Sequence, residues 1–126
     1  MKNYWNHRDA ETEMLLVAAF FQLVRPGYGE KFRDAVKEIM AKVCANPSAY
    51  TPKRRGVRKA CFKSPFPYAV YYYEREEDIV VLAYAHEKRR PGYWRYRLQE
   101  VLDGTADLVS GEESMRKLDA LLTAVG

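Results

Sequence analysis

The sequence has few of the residues that build disulfide frameworks and metal centres. It has two cysteines, Cys44 and Cys61, and two histidines, His7 and His86. Two cysteines without a C-x-x-C pair do not form a disulfide framework, so we expect both to be buried free thiols in a reducing cytosol. Four such residues, far apart in the chain, make no recognisable zinc ligand set. We therefore expect no metal and no cofactor.

The sequence also lacks a long hydrophobic run. Its most apolar stretch, residues 14–24 (MLLVAAFFQLV), is too short to span a membrane. Acidic residues precede this stretch and no small-residue cleavage motif follows it, which is not the pattern of a secretory signal peptide. Hydrophobic residues make up 48% of the chain and charged residues 30%, as in ordinary globular domains. We therefore expect a cytoplasmic protein with no membrane partner.

The positive charge is concentrated in the middle of the chain. Residues 51–97 hold twelve Lys or Arg and five Asp or Glu, a net charge of +7. Residues 1–50 hold seven and six, a net +1, and residues 98–126 hold two and six, a net −4. This distribution indicates a polyanionic or acidic partner for the middle segment, although a merely solvated surface has the same composition.

Three strand-like runs occupy this basic segment. Residues 68–73 (YAVYYY) are aromatic or β-branched with one exception, and residues 79–85 (IVVLAYA) form a short apolar run typical of a buried strand. A third run, residues 57–63, ends at Ser64-Pro65-Phe66-Pro67, because two prolines interrupt a regular ladder. We predict a three-stranded antiparallel meander that leads into a basic, aromatic segment ending at Trp94.

Two helices are predicted before the strands. The first begins at an N-cap on Asp9 and ends at Arg25-Pro26-Gly27, and the second runs from about Gly29 to Cys44 and stops at Asn46-Pro47. The short link predicts a helical hairpin that packs on the sheet. The first helix has a wide apolar stripe, so we expect it to be deeply buried. Its members are Met14, Leu15, Leu16, Val17, Ala18, Phe20, Phe21 and Val24. The narrower stripe of the second helix consists of Phe32, Val36, Ile39, Met40 and Val43.

The segment beyond residue 95 has a different, acidic composition. Residues 95–102 are predicted to be helical, and Ser110 with Glu113 forms a capping box for a last helix. The apolar stripe of that helix needs a surface, so we expect residues 98–126 to fold back on their own domain or on a second copy. There they either cover a partner-binding surface or extend the core.

The predicted fold class is therefore α+β. An N-terminal antiparallel helical hairpin packs on one face of a small antiparallel sheet within a domain of residues 1–95, and residues 96–126 form an acidic helical extension.

Four motifs, taken in their order along the chain, resemble the RelE/ParE superfamily, the toxins of bacterial type II toxin–antitoxin (plasmid stabilisation) modules. They are RPGYGEKF at 25–32, NPSAY at 46–50, FPYAVYYYEREEDIVVLAYA at 66–85 and AHEKRRPGYW at 85–94. The resemblance covers about residues 4–95. It implies that the segment from Lys2 to His7 is a first strand at the sheet edge, and that a cognate antitoxin is a partner.

The two branches of this superfamily differ in target. RelE-like members are ribosome-dependent, metal-independent endoribonucleases that cleave mRNA, whereas ParE-like members inhibit DNA gyrase. In the RelE-type pattern an arginine follows the tyrosine of the central strand, and here Ala69 follows Tyr68. A nuclease without that arginine would lose stabilisation of its transition state. The resemblance therefore favours a ParE-like toxin that is not an enzyme. The alternatives are a RelE-like nuclease acting on the ribosome and mRNA, and a non-toxic, partner-binding relative.

Partner-binding residues are expected where cations lie beside aromatic rings, a combination that suits nucleic acid or an acidic antitoxin. The predicted set is Arg54, Arg55, Arg58, Lys59, Lys63, Lys88, Arg89, Arg90, Tyr93 and Trp94. In the nuclease alternative, the resemblance assigns catalysis to Lys59, Lys63, Arg89 and Tyr93. We expect Arg89 and Arg90 to be functional and Trp94 to be mainly structural. His86 is either a general base or a hydrogen-bonding histidine. The oligomeric state stays open between a monomer and a homodimer.

Overall fold

A mixed six-stranded sheet with helices on both faces forms the framework of the computed structural model, which describes residues 1–125. The strands are β1 (Asn3–His7), β2 (Thr51–Pro52), β3 (Val57–Cys61), β4 (Tyr68–Glu74), β5 (Asp78–His86) and β6 (Leu108–Ser110). The helices of this described part are α1 (Arg8–Val24), α2 (Tyr28–Ala45), α3 (Arg95–Asp103) and α4 (Gly111–Val125). The α+β class is as predicted.

The predicted meander is confirmed, but the sheet contains more than the meander. Strands β3, β4 and β5 pair in antiparallel order, and the full strand order is β2-β3-β4-β5-β1-β6. Strand β1 lies parallel to β5, with Trp5 opposite Val80, and β6 pairs antiparallel with its other side. The expectation that β1 forms the sheet edge is therefore wrong, because β6 covers its outer side. The sheet is mixed rather than purely antiparallel for the same reason.

The helix boundaries follow the predicted stop signals. Helix α1 ends before Arg25, and α2 ends at Ala45, directly before Asn46-Pro47. The predicted N-cap at Asp9 is wrong by two residues. His7 caps α1 instead, since its Nδ1 accepts a hydrogen bond from the backbone N–H of Asp9 at 3.0 Å. This bond requires the neutral ring to carry its proton on Nε2, which lies 2.6 Å from the Glu100 carboxylate of α3.

Helices α1, α2 and α4 enclose the larger of two hydrophobic cores against one face of the sheet. The predicted α2 stripe is buried in full, and its first member, Phe32, is stacked on Phe62 at 5.4 Å between ring centroids. Helix α1 does not meet the prediction of deep burial. Met14 and Ala18 are buried, but Leu16 and Phe20 face solvent. The reason is geometric, because α2, α4 and β5 cover only part of the circumference of α1.

The second core lies on the opposite face of the sheet, under α3. Trp94 and Leu98 pack there against Val80 and Leu82. Trp94 is 5% exposed, and its ring centroid lies 5.5 Å from that of Tyr71. This burial supports a structural role for Trp94 rather than direct contact with a partner.

The segment beyond residue 95 contributes to both cores. Helix α3 closes the second core, β6 extends the sheet, and α4 buries Leu118 and Leu122 in the first core. Ser110 accepts the backbone N–H of Glu113 at 3.1 Å, which is the first half of the predicted capping box. The segment thus folds back on its own domain. Its acidic side chains pair with residues outside the basic segment 51–97: Asp119 with Arg33 and Asp107 with Arg8, both at 3.2 Å.

Both cysteines are free, but they differ in exposure. Cys44 is buried in α2 as expected, whereas Cys61 is exposed, so the prediction of burial is wrong for that residue. Cys61 is the last residue of β3, and the short β2 pairs only with Arg58 and Lys59, which leaves this end of β3 uncovered. None of the described helices is long and apolar enough to cross a membrane.

Candidate partner-binding surface

The predicted basic residues divide between the two ends of β3 rather than forming one cluster. Arg54 and Arg55 lie in the turn that precedes β3, and Lys63 follows its far end. Five residues of strand lie between them, a length of about 17 Å. Arg55 adopts a left-handed backbone conformation (φ 59°), and its guanidinium donates to the side-chain oxygen of Gln99 in α3 at 3.2 Å.

The two basic residues within β3 have different environments, because neighbouring residues of a strand point to opposite faces. Arg58 donates to the backbone oxygen of Tyr50 at 2.7 Å and so holds the loop after α2. The Lys59 ammonium lies 5.8 Å from the ring centroid of Tyr71, on the face that also carries α3. Arg58 is thus partly committed to structure, whereas Lys59 keeps its charge at the surface beside an aromatic ring.

The segment from Glu87 to Trp94, here named the basic loop, is tied down at its start. The backbone N–H of Glu87 donates to Pro67 O at 2.9 Å, and that of Lys88 donates to Nδ1 of His86 at 3.0 Å. The His86 ring also packs edge-on against Tyr68, with 5.1 Å between centroids. These contacts support the interpretation of His86 as a hydrogen-bonding residue that shapes the loop.

The end of the basic loop is held by a carboxylate from α1. Tyr93 donates its hydroxyl to Glu13 at 2.7 Å, and Arg97 donates to both oxygens of Glu13 at 2.9 and 3.1 Å. Burial and the bond to Glu13 raise the pKa of Tyr93 well above its ordinary value. Burial opposes the charge of Arg97, but its hydrogen bonds to Glu13 and Tyr96 raise its pKa overall. Tyr93 therefore stays protonated and bonded at neutral pH.

Arg89 sits at the surface on this anchored tyrosine. Its guanidinium carbon lies 4.0 Å from the ring centroid of Tyr93, a close cation–π contact. Lys88 and Arg90 on either side are exposed. The basic loop thus presents three cations beyond the C-terminal end of β5.

An exposed apolar stripe on α1 lies next to the basic loop. Leu16, Phe20, Leu23 and Val24 are 66%, 59%, 70% and 66% exposed, and their spacing places them on one helical face. Glu13, which holds Tyr93, lies one turn before Leu16. A contiguous group of exposed apolar side chains indicates an interaction site, whereas single exposed apolar residues are common on any surface.

The stripe has cations on its borders. Arg89 lies on Tyr93, whose hydroxyl is bonded to Glu13 one turn before the stripe begins. Arg25 follows the stripe at the end of α1, with its guanidinium 5.5 Å from the Tyr28 ring centroid. We name these four apolar residues and the basic loop together the α1 surface. An apolar strip bordered by cations can bind an amphipathic segment whose polar side is acidic.

The candidate catalytic residues of the nuclease alternative do not all contact one another. Lys59 lies over Tyr71, whereas Arg89 lies over Tyr93, whose hydroxyl is occupied by Glu13. Ala69 is 1% exposed near the start of β4, between Cys61 of β3 and Ala85 of β5. Its methyl group supplies no charge to the sheet surface at that point.

A separate groove of about 580 Å³ lies at the other side of the molecule, between β1, α2 and the start of α4. Tyr4, Met40 and Met115 contribute to its lining, and none of the predicted partner-binding residues does. Within residues 1–125, no group of three His, Cys, Asp or Glu side chains is arranged to hold a metal ion.

No protein-family model matches the chain, and no curated protein is significantly similar to it. The RelE/ParE resemblance therefore rests on the four motifs described above.

Two features of the α1 surface were missed by sequence reasoning. Glu13 was not singled out, because its partner Arg97 lies 84 residues further along the chain and no local pattern connects them. Leu23 was not recognised as part of an exposed stripe, because an apolar helix with hydrophobic residues around most of its circumference does not reveal which side faces solvent.

Proposed function

We propose that this protein is a ParE-like toxin of a type II toxin–antitoxin module, which binds DNA gyrase and does not cleave RNA. The observation that carries the choice of branch is Ala69. The RelE-type pattern places an arginine there, and a buried methyl group cannot stabilise the charge that develops on a phosphate during cleavage. The hydroxyl of Tyr93 is likewise engaged by Glu13 and is not free for proton transfer.

The order of elements supports the same superfamily. A first strand, a helical hairpin and an antiparallel meander follow one another along the chain, as the motif resemblance implies. The choice of gyrase as the target rests on that resemblance, and the cations at both ends of β3 and on the basic loop suit an acidic protein surface.

The α1 surface is proposed as the binding site of the cognate antitoxin. Four exposed apolar side chains at helical spacing fit the apolar face of a partner helix. The cations at the border, Arg25 and Arg89, fit acidic residues on the rim of that helix, where charge complementarity speeds association and selects the partner.

Two assays on the purified protein test the function. We expect inhibition of supercoiling by bacterial DNA gyrase and intact mRNA on translating ribosomes. Arg89→Ala should weaken gyrase inhibition, whereas Arg116→Ala, which removes the same charge from the exposed side of α4, should not. Cleavage of ribosome-bound mRNA would establish the RelE-like alternative instead. Inactivity in both assays would show that the chain is a non-toxic relative.

A further inference from the structure

Strand β5 has an unusual arrangement where β1 ends. Strand β1 pairs with residues 78–81 of β5, so the following residues of β5 have no strand on that side. There, two side chains form hydrogen bonds with the backbone of β5 in place of a neighbouring strand. Arg97 of α3 donates to the backbone oxygen of Leu82 at 2.9 Å, and Glu13 of α1 accepts the backbone N–H of Tyr84 at 3.2 Å.

The same two side chains bind each other and the basic loop. Arg97 is 6% exposed and bonds both oxygens of Glu13, and Glu13 also accepts the Tyr93 hydroxyl at 2.7 Å. One carboxylate therefore connects α1, the edge of β5, α3 and the basic loop. A charge in such a position is retained only where partners compensate its desolvation, and here every partner is fixed by the fold.

The connection extends to the surface through Tyr93. Its hydroxyl is fixed by Glu13, and its ring carries the guanidinium of Arg89 at 4.0 Å. Around it the loop backbone turns at Gly92 (φ 79°), and the backbone N–H of Arg95 donates to Gly92 O at 3.1 Å. The position of the Arg89 charge is thus set by a side chain in the second turn of α1.

We propose that Glu13 and Arg97 are positioning residues of the α1 surface, which act on a partner only through Tyr93 and Arg89. This inference rests on the proposed function, in that it takes Arg89 to contact the target. It assigns a role to Arg97, which lies beyond the segment that carries the family resemblance, and to Glu13, which is not among the predicted partner-binding residues.

The first experiment needs no partner. Trypsin cleaves after Lys88 and Arg89 when the basic loop opens, and opening is controlled by local stability. Tyr93→Phe removes one hydroxyl and leaves the Glu13–Arg97 pair in place, so we expect about fivefold faster cleavage in the loop with cooperative unfolding retained. Tyr72→Phe is the matched control. It removes a tyrosine hydroxyl bonded to Pro47 O at 2.5 Å, far from the loop, and should leave loop cleavage unchanged.

The second experiment measures half-maximal inhibition of gyrase supercoiling. Tyr93→Phe and Glu13→Gln should each weaken inhibition by about fivefold, and neither should weaken it further in an Arg89→Ala background, because groups that act through one residue are not additive. Unchanged loop cleavage in Tyr93→Phe would overturn the positioning role, whatever the gyrase result. If Tyr93→Phe is cleaved faster but Arg89→Ala still inhibits gyrase fully, Arg89 does not contact the target. That result would overturn both the role of Arg89 in the proposed function and the positioning role at the partner site.

Discussion

Phe20 and Phe32 are the same residue type in neighbouring helices, and their predicted contributions to stability differ widely. Phe20 is 59% exposed, so about two-fifths of its side chain is removed from water. Full burial of a phenylalanine contributes about 1.5–3 kcal/mol, which gives roughly 1 kcal/mol for Phe20. Alanine is the better helix former by up to about 0.5 kcal/mol. Phe20→Ala should therefore lower the free energy of unfolding by only about 0.5 kcal/mol.

Phe32→Ala should cost far more. Phe32 is completely buried and contacts the rings of Phe21, Phe62 and Phe66 at centroid distances of 5.7, 5.4 and 5.5 Å. Truncation of a phenylalanine in such a site costs about 3–5 kcal/mol, which corresponds to a fall in Tm of roughly 10–20 °C in a domain of this size.

Urea denaturation followed by circular dichroism measures both variants. The experiment should be run at two protein concentrations, because a face buried between copies would make the effect of Phe20→Ala depend on concentration. A loss above about 2 kcal/mol for Phe20→Ala at both concentrations would show that α1 is buried on all sides, and the assignment of an exposed stripe would be wrong. The antitoxin proposal adds that Phe20→Ala reduces antitoxin affinity while Phe32→Ala acts through folding.

Two further variants test local details of the fold. Gly111→Ala places a Cβ closer to the Tyr4 ring than van der Waals contact allows, so we expect a loss of about 1–2 kcal/mol in chemical denaturation, and unchanged stability would contradict that close approach. The Tyr96 hydroxyl, donating to Asp9 at 2.6 Å, is the main cause of the lowered pKa of that carboxylate, and Tyr96→Phe should return it towards its ordinary value. A lowered carboxylate pKa contributes stability above about pH 4 that is lost as the pH falls further, so the variant should lose less stability on acidification. An unchanged NMR titration of Asp9 would contradict this.

The elements predicted correctly from the sequence are those specified by local chemistry. Aromatic and β-branched residues specify β4 and β5, Asn46-Pro47 ends α2, and Ser110 caps α4. Each of these signals depends only on residues close together in the sequence. Strand β6 has only three residues, too few to show an alternating pattern, and its partner β1 is remote in sequence. Its presence could not be predicted without knowing where β1 lies.

The α1 surface shows the corresponding limit for function. The cations of the basic loop are evident in the sequence, since they are adjacent. The exposed face of α1 is determined by the positions of α2, α4 and β5, and local sequence does not reveal these positions. The Glu13–Arg97 pair depends on the same assembly. The residues of the candidate site could thus be predicted where charge is concentrated, and not where packing or long-range pairing determines the role.

The location of β1 between β5 and β6 has a consequence for folding during synthesis. The first strand pairs with residues 78–81 on one side and 108–110 on the other, so residues up to 110 must leave the ribosome before both of its edges are covered. Until then β1 offers open backbone donors and acceptors to other chains, the usual origin of edge-to-edge aggregation. Pairings so distant in sequence also slow folding, because loop closure must precede any gain in contacts. We expect nascent chains arrested between α3 and β6 to require chaperones, in contrast to the released protein.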